Sequence, residues 1–161
     1  EINMKRTLKN IFSYILLGSL LIATLTGCNT NNKSYAFGLD TGDKVKITIN
    51  TSDKYNMSSS LPIQFSKDSE TISYGSFVSS GTLDVYKGEI EDETSNMKTY
   101  EEGAINGVTY IFYTEKDDVE TYYNYVMKVD GSNTGFLLTN TVSKESAQEV
   151  FEKLVFEVEK K

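Results

Sequence analysis

The chain contains no histidine and no tryptophan, and its 161 residues include one cysteine and one proline. Without histidine, nucleophilic systems of the Ser-His-Asp and Cys-His types and the usual histidine-ligated zinc sites are excluded. A single cysteine excludes an internal disulfide. A Ser-Lys dyad or a carboxylate pair stays open, although the serine-rich runs at residues 58–60 and 79–80 lack Ser-x-x-Lys spacing. The sequence therefore favours a protein that is not an enzyme and that holds no metal or cofactor.

The N-terminal region has the pattern of a secretory signal peptide. The basic residues Lys5, Arg6 and Lys9 precede an apolar run over residues 11–25. A permanent transmembrane helix needs roughly 20 apolar residues, and no cationic stop-transfer cluster follows this run. A short N-terminal transmembrane helix is therefore the less favoured alternative. Residues 1–3 are interpreted as an artefact of the assigned start site.

The motif Leu25-Thr26-Gly27-Cys28 closely resembles the lipobox of bacterial lipoproteins. The resemblance implies that signal peptidase cleaves between Gly27 and Cys28, which removes residues 1–27. It also implies a covalent diacylglyceryl group, with acyl chains such as palmitate, on the sulfur of Cys28; an added N-acyl chain stays open. Two acyl chains hold a protein stably on a bilayer. We therefore expect a lipid anchor in the cell membrane and a domain on its extracytoplasmic face.

The alternative interpretation of Cys28 is an ordinary buried or free cysteine. An unpaired thiol in an exported protein needs an explanation, and lipidation supplies one. The charge pattern, the apolar run, the small residues and the single cysteine all agree, so the lipoprotein interpretation is favoured.

After cleavage the chain would carry 13 basic and 22 acidic residues, which changes its net charge from −7 to −9. An acidic surface disfavours nucleic acid and anionic lipid head groups as ligands of the folded part. The remaining length suits one domain with a modest core. Residues 28–42 are predicted to be the lipidated cysteine and a flexible tether, because the polar run at 29–34 has no periodicity. The globular domain is predicted over residues 43–161.

Most of this domain has the alternating pattern of antiparallel strands. Residues 44–50 place Val45, Ile47 and Ile49 on one face. Aromatic and β-branched residues on both faces predict central strands. The full set of predicted strands is 44–50, 61–65, 71–78, 81–86, 108–113, 122–129 and 134–139, with a hairpin turn at 130–133.

A C-terminal helix is predicted from Ser143, a suitable N-cap, and from an apolar stripe formed by Ala147, Val150, Phe151 and Leu154. Residues 155–158 are predicted to continue as a short strand or an extended tail. The predicted fold class is α+β: one domain with a predominantly antiparallel sheet packed by a C-terminal amphipathic helix.

The order of elements from residue 44 to 158, with Thr134-Gly135-Phe136 opening the strand before the helix, resembles the Mog1/PsbP-like domains of some bacterial lipoproteins. The resemblance implies α/β/α layering and therefore one further helix. Residues 51–60 and 96–102 are the places where we expect it.

Two acidic segments raise a calcium hypothesis: residues 89–93 and 115–120. Both lack the EF-hand spacing, with its central glycine and closing glutamate. Solvated loops are therefore the favoured interpretation.

The eleven tyrosines are the one feature that points to binding, because a tyrosine buries a ring and keeps a polar tip in water. Ordinary strand composition is the favoured explanation, since tyrosine is common in strands. The expected function is a membrane-anchored, non-enzymatic binding module whose partner is an envelope protein, a peptide or a glycan. An immunity lipoprotein that sequesters a cationic peptide is a special case. The alternative is a tethered, histidine-free hydrolase of the cell envelope.

Overall fold

The computed structural model describes residues 22–23, 31–91 and 95–159. The described strands are β1 Ile22–Ala23, β2 Asn32–Gly38, β3 Lys44–Asn50, β4 Tyr55–Met57, β5 Ile63–Lys67, β6 Glu70–Ser79, β7 Met97–Ile105, β8 Val108–Lys116, β9 Thr121–Val129, β10 Thr134–Asn140 and β11 Leu154–Val158. The described helices are α1 Thr82–Glu91, α2 Lys144–Glu152 and a 3-10 turn Ser52–Lys54. The prediction of a single, mostly antiparallel β domain is confirmed.

The strands form two antiparallel sheets. The larger has the order β4-β5-β6-β10-β9-β8-β7, and the smaller has the order β1-β2-β3-β11. The prediction that three consecutive strands, β8, β9 and β10, pair in antiparallel order is confirmed. Strand β3 is confirmed as well, and its Val45, Ile47 and Ile49 are fully buried as the alternation predicted.

The main core lies between the two sheets. Its members come from β2, β3 and β11 on one side and from β4, β5, β6, β8, β9 and β10 on the other, together with Ala147, Val150 and Phe151 of α2. Phe151 stacks on the ring of Tyr125, with 4.1 Å between centroids. Ser143 caps α2, since its hydroxyl oxygen accepts the Ser146 N–H at 3.0 Å.

Helix α1 packs on the opposite face of the large sheet. Residues 81–86 were predicted to be a strand, and this prediction is wrong because α1 occupies Thr82–Glu91. Leu83 and Tyr86 are buried, and Ile90 is partly buried against the apolar cluster that contains Tyr86, so burial follows i, i+3 and i+7 spacing. Val85, which completed the apparent alternation, is 41% exposed.

The prediction of a further helix at residues 51–60 or 96–102 is wrong. Residues 51–60 contain the 3-10 turn and β4, and residues 96–102 contain the start of β7. The additional helix lies instead at α1, so a helix does cover the second face of the large sheet.

The predicted flexible tether over residues 28–42 is wrong from Asn32 onward, because β2 occupies Asn32–Gly38. Phe37 is fully buried, and its ring lies 5.2 Å from that of Phe77. Burial of this ring brings a largely polar segment into the small sheet. The domain therefore begins about eleven residues earlier than predicted.

The tight turn between β7 and β8 contacts the last strand. Gly107 has φ +85°, and a Cβ added there would lie 2.1 Å from the carbonyl oxygen of Phe156. Gly131, in the β9–β10 turn, has φ +76° but open space at the Cβ position. Substitution of these two glycines therefore distinguishes the cost of backbone strain from the cost of steric overlap.

We expect Gly107→Ala to lower the free energy of unfolding by about 2 kcal/mol or more. The new Cβ would overlap the Phe156 carbonyl oxygen, and alanine would also be strained at this positive φ. Gly131→Ala carries the strain alone and should lower it by about 1 kcal/mol. Gly88→Ala, inside α1 with open space around it, should raise it by about 0.5–1 kcal/mol. Urea unfolding of the three variants measures these effects, and equal losses for Gly107→Ala and Gly131→Ala would contradict the proposed overlap.

Candidate functional site

A polar cleft of about 470 Å³ lies at one end of the domain, beside the β4–β5 hairpin. Its lining consists of hydroxyl, amide and charged groups with one aromatic ring. The lining residues are Thr51, Lys54, Tyr55, Asn56, Ser66, Asp68 and Ser69.

Two tight turns shape this cleft. Asp53 and Lys54 have φ of 58° and 65°, and Asp68 and Ser69 have φ of 52° and 72°. Aspartate tolerates this left-handed region better than most residues, which fits Asp53 and Asp68 there. The two turns are joined by an ion pair of 2.5 Å between Lys54 Nζ and Asp68 Oδ1.

Tyr55 connects the cleft to helix α2. Its hydroxyl donates to Glu149 Oε2 at 2.5 Å, and Lys67 Nζ contacts the same oxygen at 3.0 Å. Lys67 Nζ and Lys153 Nζ lie 4.9 and 4.7 Å from the centroid of the Tyr55 ring. Lys153 Nζ also pairs with Asp53 Oδ2 at 3.1 Å. A tyrosine ring thus contacts two ammonium groups, each of which has a carboxylate partner.

The pKa shifts in this cluster keep Tyr55 and Lys67 protonated at neutral pH. They keep Glu149 and Asp53 ionised. Burial, followed by the hydrogen bond to Glu149, raises the pKa of Tyr55. The Tyr55 hydroxyl, followed by the Glu149 carboxylate, raises the pKa of Lys67 well above its usual range. The hydrogen bond from Tyr55 lowers the pKa of Glu149, and that from Lys153 lowers the pKa of Asp53. A lysine base or a tyrosinate nucleophile would need pKa shifts in the opposite direction.

The acidic segments do not come together as a metal site in the part of the chain described. The predicted loop at residues 89–93 is wrong for residues 89–91, which lie in α1, and residues 92–93 lie outside the described residues. The predicted loop at residues 115–120 is wrong for Glu115 and Lys116, which end β8. Burial, followed by repulsion from Glu89 and Asp117, raises the pKa of Glu115. No group of three or more metal-ligating side chains occurs within the described ranges.

The tyrosines mostly belong to the core. Tyr55, Tyr86, Tyr113 and Tyr125 are buried, and Tyr35, Tyr110 and Tyr123 are partly buried against the main cluster. Among the tyrosine side chains that the structure describes, Tyr74 is the large exposed one, at 48%. Strand composition therefore accounts for most of them.

The predicted lipidation site lies outside the described residues. This applies to Cys28 and to the cleavage position between Gly27 and Cys28. None of the helices within residues 22–23, 31–91 and 95–159 is long and apolar enough to span a bilayer.

Sequence reasoning did not identify the group formed by Tyr55, Lys67, Glu149 and Lys153, which we call the Tyr55 cluster. These residues come from β4, β5, α2 and the position after α2, and Tyr55 and Glu149 are 94 positions apart. No signal in the sequence related Glu149 to Tyr55 or Lys67.

Comparison with family models, with curated proteins and with solved structures finds no match for this chain.

Glu149→Gln is expected to change the pH dependence of stability. Because the folded state lowers the pKa of Glu149, the charged form stabilises the fold above the ordinary value of 4.5, and this contribution is lost as the pH falls through the folded-state pKa. The free energies of unfolding of the native and variant chains should therefore differ most at about pH 6 and converge in acid.

Urea unfolding at a series of pH values measures this difference. Glu70→Gln, which neutralises an exposed carboxylate on β6, is the matched control and should change the profile little. A constant offset between native and Glu149→Gln chains across the acid range would contradict the assigned interaction.

Proposed function

We propose that this chain is a membrane-anchored lipoprotein whose domain binds a partner on the extracytoplasmic face of the cell membrane without catalysing a reaction. The motif Leu25-Thr26-Gly27-Cys28 carries the proposal, because it places a lipid-accepting cysteine directly after a signal-peptide pattern. Two acyl chains on Cys28 would hold the domain at the bilayer surface.

The position of β2 supports a close attachment. Residues 29–31 alone separate Cys28 from Asn32, where β2 begins. Four residue steps of an extended chain cover at most about 14 Å. The lipidated cysteine would therefore hold the N-terminal end of β2 close to the head groups.

The cleft lies at the same end of the domain. The Thr51 N–H donates to the Asn31 carbonyl at 2.8 Å, and Thr51 lines the cleft. Lys33 Nζ donates to Asn56 Oδ1 at 2.8 Å, and Asn56 lines it as well. A ligand in the cleft would consequently be held near the membrane surface.

The chemistry of the cleft supports binding over hydrolysis. Its lysine pairs with a carboxylate, and the charge states around Tyr55 are those of ordinary hydrogen-bonding groups. A protein, a peptide or a glycan offers the polar groups that such a lining recognises. The net charge of −9 after cleavage favours a cationic partner, which suits the immunity-type special case.

Intact mass spectrometry of the protein purified from its native host tests the anchor. We expect a chain that begins at residue 28 and carries a diacylglyceryl group on Cys28. Cys28→Ser should abolish both lipidation and cleavage, so that the leader stays attached. Thr26→Ser keeps a small residue beside the cleavage position and should be processed like the native chain. Native chain with an unmodified Cys28 and its leader attached would overturn the proposal.

A further inference from the structure

The two edges of the small sheet differ in how their backbone groups are satisfied. At β11, the Phe156 N–H donates to the Asn106 carbonyl at 2.9 Å, and Asn106 Nδ2 donates to the Leu154 carbonyl at 3.0 Å. The β7–β8 turn therefore occupies this edge. Proteins commonly cover an edge strand in this way, because unpaired N–H and C=O groups attract further strands.

The opposite edge belongs to β2, and its free groups follow from the antiparallel pairing. Asn31 faces β3, since its carbonyl accepts the Thr51 N–H. Backbone groups alternate in direction along a strand, so Lys33, Tyr35 and Phe37 also face β3. The peptide groups that face outward are those of Asn32, Ser34, Ala36 and Gly38.

Part of this outward edge of β2 pairs with β1 of the same chain. In β1, Ala23 pairs with Ala36 and Ile22 pairs with Phe37, in antiparallel register. No strand in the described ranges pairs with the outward groups of Asn32 and Ser34. The edge of β2 is therefore able to accept an extended segment, and the segment that it accepts comes from the apolar run of the leader.

We propose that cleavage after Gly27 removes β1 and that β2 then receives an extended, apolar segment of a partner polypeptide as an antiparallel strand. This inference rests on the proposed function, because removal of the leader is what frees the outward backbone groups of Ala36 from their pairing with Ala23. Main-chain hydrogen bonds to Ser34 and Ala36 supply affinity, and alternate side chains supply specificity. Alternate side chains of the added strand lie on the side of Tyr35, which is partly buried against the main core, so apolar β-branched residues fit there.

The probe is a synthetic peptide with the sequence of residues 20–25, followed by lysines for solubility. The protein is the processed, lipidated chain in nanodiscs. Hydrogen exchange is expected to slow at the Ser34 and Ala36 amides when the peptide is added, because these N–H groups become donors to the new strand. Amides of Tyr35 and Phe37 already face β3 and serve as internal controls.

Ser34→Pro removes one outward donor and is tolerated by an edge strand whose N–H faces solvent. It should weaken peptide binding by about tenfold, which corresponds to one net hydrogen bond. Ser34→Ala removes only the side-chain hydroxyl, with its 2.7 Å hydrogen bond to the Thr48 hydroxyl, and should bind like the native chain. A peptide with proline in place of Ala23 is the matched control for the ligand and should bind weakly.

Unchanged exchange at Ser34 and Ala36 with the peptide bound would overturn the inference, and this measurement needs no variant. Equal binding by Ser34→Pro and native chains, or formation of a dimer through β2 in place of peptide binding, would also overturn it. Mass spectrometry distinguishes failure of this inference from failure of the proposed lipid anchor. If Cys28 is lipidated but no strand adds to β2, the inference about β2 is wrong and the proposed anchor is not affected.

Discussion

The fold depends on the packing of two antiparallel sheets around the ring of Phe136. Its centroid lies 5.2 Å from that of Phe77, 5.3 Å from that of Phe156 and 6.5 Å from that of Phe65. Gly75 leaves the space that this ring needs, since a Cβ there would lie 2.2 Å from Phe136 Cζ. Because β11 supplies Phe156 and the large sheet supplies the other rings, this cluster fixes how the small sheet sits on the large one.

The same packing accounts for the position of the N-terminal segment. The ring of Phe37 in β2 contacts that of Phe77 and so joins the aromatic cluster. This contact helps to hold β2 in the small sheet. A segment that would otherwise separate the domain from Cys28 thereby becomes part of the core. The position of the cleft beside Asn31 and Thr51 is a consequence of the pairing of β2 with β3.

Alternation in the sequence predicted the strands that bury a regular apolar face and missed those that do not. Residues 44–50 and the three central strands have such a face, and the structure confirms them. Strand β2 begins with Asn-Lys-Ser, and β7 contains adjacent glutamates and a glycine, so tertiary pairing overrides weak local propensity in both. In α1, the apolar residues Leu83 and Val85 are two positions apart, which led to the wrong prediction of a strand. The spacing of Leu83, Tyr86 and Ile90 is that of a helix and agrees with their burial.

The Tyr55 cluster had no local signal, because its residues meet only when α2 packs beside β4 and β5.

Net charge opposes self-association through the β2 edge that the proposed cleavage would uncover. Each processed chain would carry −9, and repulsion between two such copies would oppose the hydrogen bonding that an open edge offers. An uncharged or cationic segment meets no such barrier. The acidic composition would therefore favour the proposed addition of a partner strand over pairing with a second copy. The β11 edge is consistent with this proposal, because the turn at Asn106 already bonds to the outward groups of Leu154 and Phe156.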